Sequence, residues 1–492
     1  MRAPGYHGPH AVPDPLSSLP MIPSPTLRVP ILVILAGAAF AASANAQAPP
    51  QPVALVGGTL VDGTGAAPIG DAVVVVREGR IACAGPAREC PVPADARRVD
   101  ATGRWITPGL VDGHVHYSQT GWADGRPDAL DLREQYPYVE TVQWLETHPE
   151  VLGRSYLCSG VTATFDVGGY PWTWGLRERS EASVAMPHVE AAGPLLSTLD
   201  HWVNLPAERQ FVFIPGDSAV RAGVDYLVSN ETSAVKVWFL VGPQSDTASL
   251  RRRLETAAAA ARVAGVPLIV HATGLWEATV AVENGARLLV HSVGDAPVDD
   301  RFLDAARAAG TFYNPTLVVR DGYVQLAARR FDADGYGGGL ACVDPTSLEK
   351  ALATDTVPGG WSPERLAAYR DRAAAGRAIM EENLRRVRDA GIPVILGTDA
   401  GNPLTLHGPS VYLELEAMTG AGLSPAEALL AATRDAAAAM GRGADLGTLE
   451  AGKVADLLLL EGDPLADVRA WRRVDRVMRG GRLYERAELE YR

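Results

Sequence analysis

The sequence has few basic residues for its length: 45 lysines and arginines stand against 58 aspartates and glutamates, a formal net charge of -13 over 492 residues. One dense basic cluster, Arg251-Arg252-Arg253, opens a predicted helix and is typical of a solvated helix face. A nucleic-acid-binding protein needs a basic surface that neutralises phosphates. The charge therefore argues against a nucleic-acid partner.

The sequence also has little apolar sequence of membrane-spanning length. The apolar run from Ile31 to Ala42 is alanine-rich and shorter than the roughly 20 residues that a spanning helix needs. Arg28 precedes this run and Ala44-Asn45-Ala46 follows it, which is the pattern of a signal peptide with its cleavage site. We therefore predict a signal peptide or N-terminal extension over residues 1–46, and a periplasmic or secreted protein without a stable membrane span after signal removal.

Cysteine is scarce, with four residues in the whole chain. None belongs to a Cys-x-x-Cys pattern, so we assign no cysteine to a metal or to catalysis. Export would permit disulfides. Cys83 and Cys90 flank a short loop and could form a local bridge, whereas a bridge between Cys158 and Cys342 has weaker support, because four cysteines allow three pairings.

Short strand patterns broken by glycine turns occupy both ends of the mature chain, at residues 53–107 and 443–485. Neither end has enough strand to bury a core alone. We therefore expect the two ends to form one small β-sandwich domain together.

Between these ends, apolar strand-like runs alternate with helical stretches rich in alanine, arginine and glutamate. Because these runs are continuously apolar, they predict an α/β fold of the parallel (β/α)8 TIM barrel type over residues 108–440. No glycine-rich phosphate loop follows a strand, which disfavours an open doubly wound sheet. Residues 321–360 are glycine-rich and are predicted to be either a lid over the barrel mouth or a disordered loop. The apolar runs are Ile106–Val115, Val161–Val167, Val189–Leu196, Val235–Leu240, Leu268–Val270, Leu288–Val290, Thr311–Val318 and Val394–Gly397.

Two histidines separated by one residue, His114 and His116, end the first of these runs. Residues two apart on a strand point to the same face and lie roughly 7 Å apart along the chain. Both imidazoles can therefore share one divalent cation such as zinc. Taken alone, the pattern equally fits two partly exposed strand histidines, so further ligands have to decide.

Further polar residues lie at or near the C-terminal ends of predicted strands, where barrel enzymes place their active sites. His271, His291 and Asp399 end the fifth, sixth and eighth runs, and Lys236 lies within the apolar fourth run, where a free ammonium is costly. Each residue alone has a structural explanation, such as a core histidine, a helix cap or a lysine that reaches the rim. Their conjunction with the paired histidines favours a metal site.

These motifs resemble those of the amidohydrolase superfamily of metal-dependent hydrolases, in particular its prolidase- and imidazolonepropionase-like branch. The resemblance spans about Val53 to Tyr484. Besides the strand-end histidines, it rests on three motifs: Pro108 to His116, Gly397-Thr398-Asp399-Ala400-Gly401, and Gly447 to Leu457.

The resemblance implies a set of metal ligands at the barrel mouth. They are His114, His116, Lys236, His271, His291 and Asp399. The first two histidines and Asp399 would hold the more buried ion, and the other two histidines a second. Lys236 would be carboxylated, so that its carbamate bridges two zinc ions. An unmodified Lys236 would instead repel the second ion, so one or two metals per chain remain as alternatives.

The resemblance also implies an exported hydrolase that cleaves an amide-type C–N bond with a metal-bound hydroxide. The substrate would be a dipeptide, an N-acyl amino acid or a cyclic amide. Asp399 would carry the proton to the leaving nitrogen, while His271 and His291, or the second metal, polarise the carbonyl. The alternatives are an esterase, lactonase or phosphoesterase on the same site, and a non-catalytic binding protein.

Substrate contacts other than the metal are less well defined by the sequence. The candidates are His407, Tyr117, His201 and Arg320. Arg320 follows the seventh run and could bind a substrate carboxylate or form a surface salt bridge. His148 and His188 are expected to serve no site. The expected partner is a small-molecule substrate, and a homo-oligomer is compatible with the sequence.

Overall fold

The computed structural model describes residues 51–200, 209–242 and 245–491. Within this part of the chain, no helix is long and apolar enough to cross a membrane. The signal peptide predicted over residues 1–46 and the candidate His201 lie outside the described residues.

The N-terminal part of the described chain begins with three antiparallel strands, to which two strands parallel to the first are added. Its strands are β1 (Val53–Leu60), β2 (Ile69–Arg77), β3 (Arg80–Pro86), β4 (Arg97–Asp100) and β5 (Trp105–Pro108). β1 pairs with β2 and β2 with β3, whereas β4 and β5 lie parallel to β1. Glu78 and Gly79 join β2 to β3 with positive φ angles of 51° and 76°, as a two-residue hairpin turn requires.

The central strands are short, parallel and mostly buried. They are β6 (Leu110–Val115), β7 (Val161–Asp166), β8 (His188–Ala191), β9 (Leu195–Ser197), β10 (Phe211–Phe213), β11 (Val235–Trp238), β12 (Leu268–His271), β13 (Leu288–Val290) and β14 (Phe312–Asn314). β6, β7 and β8 form one sheet, and the order β10-β9-β11-β12-β13-β14 forms a second. All of these pairings are parallel.

Backbone hydrogen bonds close the two sheets into a barrel. The amide of Ser233, just before β11, donates to the carbonyl of Ala191 at the end of β8, at 3.0 Å. On the other side, residues 393–400 lie between β14 and β6 and exchange backbone hydrogen bonds with both. Residues 393–400 therefore take the place of the eighth barrel strand, and the predicted TIM barrel is confirmed.

Two of the predicted apolar runs are each divided by a glycine. The first run is divided between β5 and β6 at Gly109, where a Cβ would overlap the side chain of Thr162. The third run is split into β8 and β9 at Gly193, which has a φ of 67° and leaves no room for a Cβ beside Trp174. β8 and β9 are consecutive halves of the third barrel strand.

Helices follow most of the barrel strands. They are α1 (Tyr138–Thr147), α2 (Pro149–Cys158), α3 (Gly175–Glu181), α4 (Asp217–Ser229), α5 (Thr247–Ala264), α6 (Leu275–Glu283), α7 (Asp300–Ala309), α8 (Val319–Ala327), α9 (Ala333–Tyr336), α10 (Pro345–Leu352), α11 (Pro363–Asp389), α12 (Ser410–Gly420), α13 (Pro425–Ala431), α14 (Arg434–Ala439) and α15 (Arg486–Leu489). Typical start and stop signals bound α5: the Asp246 side chain accepts hydrogen bonds from the first turn, and Gly265 ends the helix with a φ of 71°.

The four cysteines form two disulfides, Cys83–Cys90 and Cys158–Cys342. The second bridge attaches α2 to the segment 321–360. This segment is not a loop, because it contains most of α8 together with α9 and α10, which the sequence analysis missed. Whether it serves as a lid stays a prediction.

The C-terminal strands β15 (Leu457–Leu460), β16 (Val474–Arg479) and β17 (Arg482–Glu485) return to the N-terminal sheet. β15 pairs antiparallel with β5, so both ends of the chain share one sheet with the order β17-β16-β15-β5-β1-β2-β3 and with β4 beside β1. Leu55, Val74 and Leu457 are fully buried in the core of this sheet. As predicted, neither end forms the small β domain alone.

Candidate metal centre

Three side chains from the first and last barrel strands meet at the C-terminal end of the barrel. The Nε2 atoms of His114 and His116 lie 3.2 and 3.0 Å from Oδ1 of Asp399. The ligand atoms of these buried residues all lie within 4.8 Å of one another. Because metal–ligand bonds are about 2 Å long, ligand atoms about 3 Å apart can surround one ion.

The barrel register brings these residues together. The amide of Asp399 donates to the carbonyl of His114 at 2.7 Å, and the amide of His116 donates to the carbonyl of Ala400 at 2.9 Å. His114 and His116 point to the same face because they are two residues apart. The closure of the barrel therefore aligns the carboxylate with both imidazoles.

The outer nitrogens of the two histidines are held by oxygen atoms. Nδ1 of His114 lies 2.9 Å from Oδ1 of Asn314, and Nδ1 of His116 lies 2.6 Å from the carbonyl oxygen of Gly168. These oxygens accept hydrogen bonds, so each Nδ1 donates and each Nε2 keeps its lone pair. Among the described residues, no donor hydrogen-bonds to the buried lone pair of His114 Nε2, a deficit that a bound cation would satisfy.

Two further imidazoles lie beside this group. The ring centroids of His271 and His291 are 4.4 Å apart, and His291 lies 5.1 Å from His114. Nε2 of His291 is 3.9 Å from Oδ2 of Asp399, and its Nδ1 is 2.7 Å from Oγ1 of Thr316. His291 thus faces the second oxygen of the same carboxylate, and His271 lies beside His291.

Burial and neighbouring charges set the ionisation of this group. Burial lowers the pKa of His114 to about 4 and that of His271 to about 3, so both rings are neutral at pH 7, the form that binds metals. Burial alone would raise the pKa of Asp399, but His114 and His116 hold it well below its usual value. The site therefore offers neutral imidazoles and an ionised carboxylate.

Lys236 lies on β11, and its side chain lines a cavity that also contains the imidazoles of His271 and His291. It is 1% exposed, and among the described residues no carboxylate oxygen lies within 4.0 Å of its Nζ. Burial lowers the pKa of Lys236 to about 7, against the opposing effect of Asp399 and Asp166. An unpaired buried amine beside three imidazoles requires a chemical explanation.

The backbone of the site is strained at two of the predicted ligands. His291 has a φ of 75° and Asp399 a φ of 60°, in the left-handed region that residues other than glycine seldom adopt. Such conformations persist where the surrounding structure imposes them, and they concentrate at functional sites.

The cluster opens into a cavity of about 250 Å³. One part of its wall is apolar and includes Leu195, Phe211 and Trp238. Two arginines, Arg126 and Arg320, also line it. The cavity can therefore hold a small molecule with both apolar and charged groups.

The other predicted substrate contacts do not line this cavity. The hydroxyl of Tyr117 lies 3.2 Å from Oγ1 of Thr164, inside the barrel. Nε2 of His407 lies 3.1 Å from the carbonyl oxygen of His116, so His407 packs behind the first metal ligands. Of the predicted substrate residues that the structure describes, it places Arg320 at the cavity.

The sequence analysis missed several residues that support the cluster. Asp112 accepts hydrogen bonds from the amide and hydroxyl of Thr398, at 3.0 and 2.7 Å, and so joins the first strand to the eighth. Asp166 accepts from the amides of Tyr117 and Gly168. Asp166 and Asn314 end β7 and β14, so the strand-end pattern that identified His271 also marks them.

Comparison with known proteins places this geometry in a family. The sequence model of the amidohydrolase family matches residues 105–484. The imidazolonepropionase of Aromatoleum aromaticum is 29% identical over 404 residues, which cover 81% of this chain and 87% of that protein.

Solved structures agree at the level of the fold. A Xaa-Pro dipeptidase with bound methionine in its active site superposes with a TM-score of 0.66 at 20% identity, covering 88% of this chain and 100% of that chain. Molinate hydrolase has a TM-score of 0.65 at 24% identity, covering 90% and 96%. At these identities the likeness shows the fold alone.

Proposed function

The chain belongs to the amidohydrolase family and is a hydrolase of carbon–nitrogen bonds, and from this premise we propose an exported zinc enzyme that cleaves the amide bond of a small substrate. The substrate is a dipeptide, an N-acyl amino acid or a cyclic amide. The observation that carries the proposal is the buried convergence of His114, His116 and Asp399 at the mouth of the barrel.

The residues present fit a divalent metal. His114 and His116 offer the lone pairs of their Nε2 atoms, Asp399 offers an anionic oxygen, and Nε2 of His114 would gain a partner when an ion binds. His271 and His291 face the position of a second ion. A bound divalent ion supplies a water of lowered pKa, roughly 7 rather than 15.7, and a Lewis acid for the carbonyl.

Asp399 is the proton carrier in this proposal. Its Oδ1 faces His114 and His116, whereas its Oδ2 lies 3.9 Å from Nε2 of His291. Oδ2 can therefore accept a proton from the attacking water and deliver it to the leaving nitrogen. Collapse of the tetrahedral carbon then breaks the C–N bond and releases a carboxylic acid and an amine.

Lys236 is carboxylated in the active enzyme. The neutral amine nitrogen of Lys236 attacks the carbon of CO₂ and releases one proton, which gives an anionic carbamate; from the ammonium form, two protons are released in all. The supporting observation is that this amine is buried and unpaired among the described residues, beside imidazoles that an ammonium would oppose. The carbamate would add an anionic oxygen ligand to the set that would hold the metal.

Metal analysis tests this centre. We expect about two equivalents of zinc per chain, and loss of amide hydrolysis when a chelator removes them. Lys236→Met should reduce the content to about one equivalent. The matched control is Lys350→Met, which removes a lysine paired with Asp124 outside the cluster and should keep both ions. Full activity of Lys236→Met would contradict the bridging role.

A substrate screen separates the amide hydrolase from its alternatives. Purified metal-loaded protein is offered dipeptides, N-acyl amino acids, cyclic amides, lactones and phosphoesters. Turnover confined to lactones or phosphoesters would contradict amide hydrolysis, and tight binding without turnover would indicate a binding protein.

Export is supported by the signal-peptide pattern around Arg28 and Ala44-Asn45-Ala46 and by the two disulfides, which form in oxidising compartments. N-terminal sequencing of protein from the producing cells should start at Gln47. A full-length chain confined to the cytoplasm would contradict it.

A further inference from the structure

We propose that Arg320 binds a carboxylate of the substrate, and that the enzyme selects amides with a free carboxylate on one side of the scissile bond and an apolar group on the other. This inference rests on the proposed amide hydrolysis and adds its substrate class. Arg320 is then a specificity residue of the same site.

The two arginines that line the cavity differ in their partners. Arg126 forms a bidentate ion pair with Asp128, at 2.8 and 2.7 Å, and donates to Asn402. The guanidinium of Arg320 has no carboxylate oxygen within 4.0 Å and forms no hydrogen bond with the other described residues. A half-buried guanidinium without an acceptor, facing a substrate-sized cavity, is a site for an anionic group.

The surroundings of Arg320 are shaped to its guanidinium. A Cβ on Gly376 would lie 2.5 Å from Nη1 of Arg320, and a Cβ on Gly294 would lie 3.6 Å from Nη2. Gly376 lies within the long helix α11, where glycine is less favourable than every residue except proline. The space that Gly376 leaves for the guanidinium explains this glycine.

A buried carboxylate holds the segment that carries Arg320. The oxygens of Glu414 accept hydrogen bonds from the amides of Leu317 and Val318, at 2.8 and 2.9 Å. Arg320 is the second residue of α8, directly after these amides. Its position is therefore fixed by the fold rather than by a partner of its own.

The apolar wall lies across the barrel from Arg320. Leu195 belongs to the third barrel strand and Trp238 to the fourth, and the rings of Phe211 and Trp238 are 4.8 Å apart. Arg320 follows the seventh strand, which stands opposite the third in an eight-stranded barrel. A substrate that spans the metal cluster thus meets an apolar surface at one end and a cation at the other.

The test compares N-benzoylglycine with its neutral amide, N-benzoylglycinamide. Both carry an apolar acyl group and the same internal amide bond, and only the first has a carboxylate. Calorimetry on metal-free protein, where no hydrolysis occurs, should show about 10- to 100-fold tighter binding of the acid, the range for a charge-assisted hydrogen bond. Arg320→Gln should abolish this preference.

Two further variants separate recognition from folding. Gly376→Ala should push the guanidinium aside and weaken binding of the acid, with an unchanged or higher Tm, because alanine favours the helix. Arg372→Gln removes an exposed arginine of the same helix and should leave the preference unchanged.

The outcomes distinguish this inference from the proposed function. An unaltered preference in Arg320→Gln, equal binding of acid and amide by the unmodified protein, or binding of neither overturns the assignment of Arg320. Absence of amide hydrolysis by the metal-loaded enzyme overturns the proposed function. The binding result from metal-free protein still tests the role of Arg320 in that case.

Discussion

Two clusters of histidine and carboxylate lie at opposite ends of the barrel strands. At the C-terminal ends, His114 and His116 face Asp399. At the N-terminal end of β8, Nδ1 of His188 lies 2.7 Å from Oε1 of Glu181, and its Nε2 lies 3.3 Å from Oδ2 of Asp456. The residue types are the same, but their surroundings differ.

We call the cluster at the N-terminal end of β8 the lower cluster and the one at the C-terminal strand ends the upper cluster. Arginines of the protein supply positive charge to the lower cluster. Arg442 pairs with Glu181 and Glu190 at 3.0 and 3.1 Å, and the field of Arg479 acts on Asp456. Asp456 also accepts a hydrogen bond from the amide of Gly480 at 2.7 Å within the β domain, and its contact with His188 joins this domain to the barrel. Each carboxylate of this cluster therefore faces a histidine or an arginine of the protein itself.

In the upper cluster, the carboxylate of Asp399 faces imidazoles that do not carry a matching charge. Burial lowers the pKa of His114 to about 4, whereas Asp456 and Glu181 raise the pKa of His188 above its usual value, so His188 is the more readily protonated of the two. In a parallel barrel, the C-terminal face carries chemistry and the N-terminal face stability. The comparison shows that completeness of charge pairing, rather than residue type, separates a structural cluster from a binding one.

The strongest test of this comparison exchanges one aspartate in each cluster. Asp399→Asn should lower kcat by about 1,000-fold or more, because the proton carrier is lost, while part of the bound metal remains. Asp456→Asn should leave kcat unchanged and lower the free energy of unfolding. Steady-state kinetics, metal analysis and denaturant unfolding measure both variants. An equal loss of kcat in the two variants would contradict the assignment of the upper cluster to catalysis and of the lower cluster to stability.

A second test removes the histidine of the lower cluster. His188→Leu leaves Asp456 buried without its cation, and it should cost about 3 kcal/mol of unfolding free energy. The matched control is His148→Leu, which removes an exposed histidine stacked on Trp144 and should cost less than about 1 kcal/mol. Activity per folded molecule should be unchanged in both. A stability loss no larger than that of the control would show that the lower cluster is not structural.

The barrel and the strand-end residues were predictable because parallel strands are continuously apolar until a polar residue ends them. His271 ends β12, and His291 and Asp399 follow their strands in the same manner. Their convergence follows from closure of the barrel, which brings the C-terminal ends of all strands to one face. The family motifs pointed to the same residues.

Other features could not be predicted from local patterns. The pairing of His188 with Asp456 joins the barrel to a segment near the far end of the chain, and neither residue carries a local signal for it. Asn314 supports His114 through a tertiary contact. That Arg320 forms no ion pair with another described residue is likewise visible only in three dimensions, so the sequence left a salt bridge and a substrate contact equally open.

The smallest effect concerns the pH dependence of stability. Burial alone would lower the pKa of His188, but Asp456 and Glu181 raise it above its usual value, while the pKa of Glu181 falls to about 2 through its bond to His188.

The histidine therefore stabilises the fold fully below about pH 6.5, its unfolded pKa, and this contribution is lost as pH rises through the folded pKa. The carboxylates contribute above their unfolded pKa values of about 4 and lose this contribution as pH falls through their lowered folded values. Arg442 and Arg479, which face these carboxylates, keep their charges over this pH range. The stability difference between the unmodified protein and His188→Leu, measured by urea unfolding, should thus be larger near about pH 5.5 than near about pH 9. A difference independent of pH would mean that His188 acts through packing alone, and the contrast between a charge-paired and an unpaired cluster would then fail at its lower end.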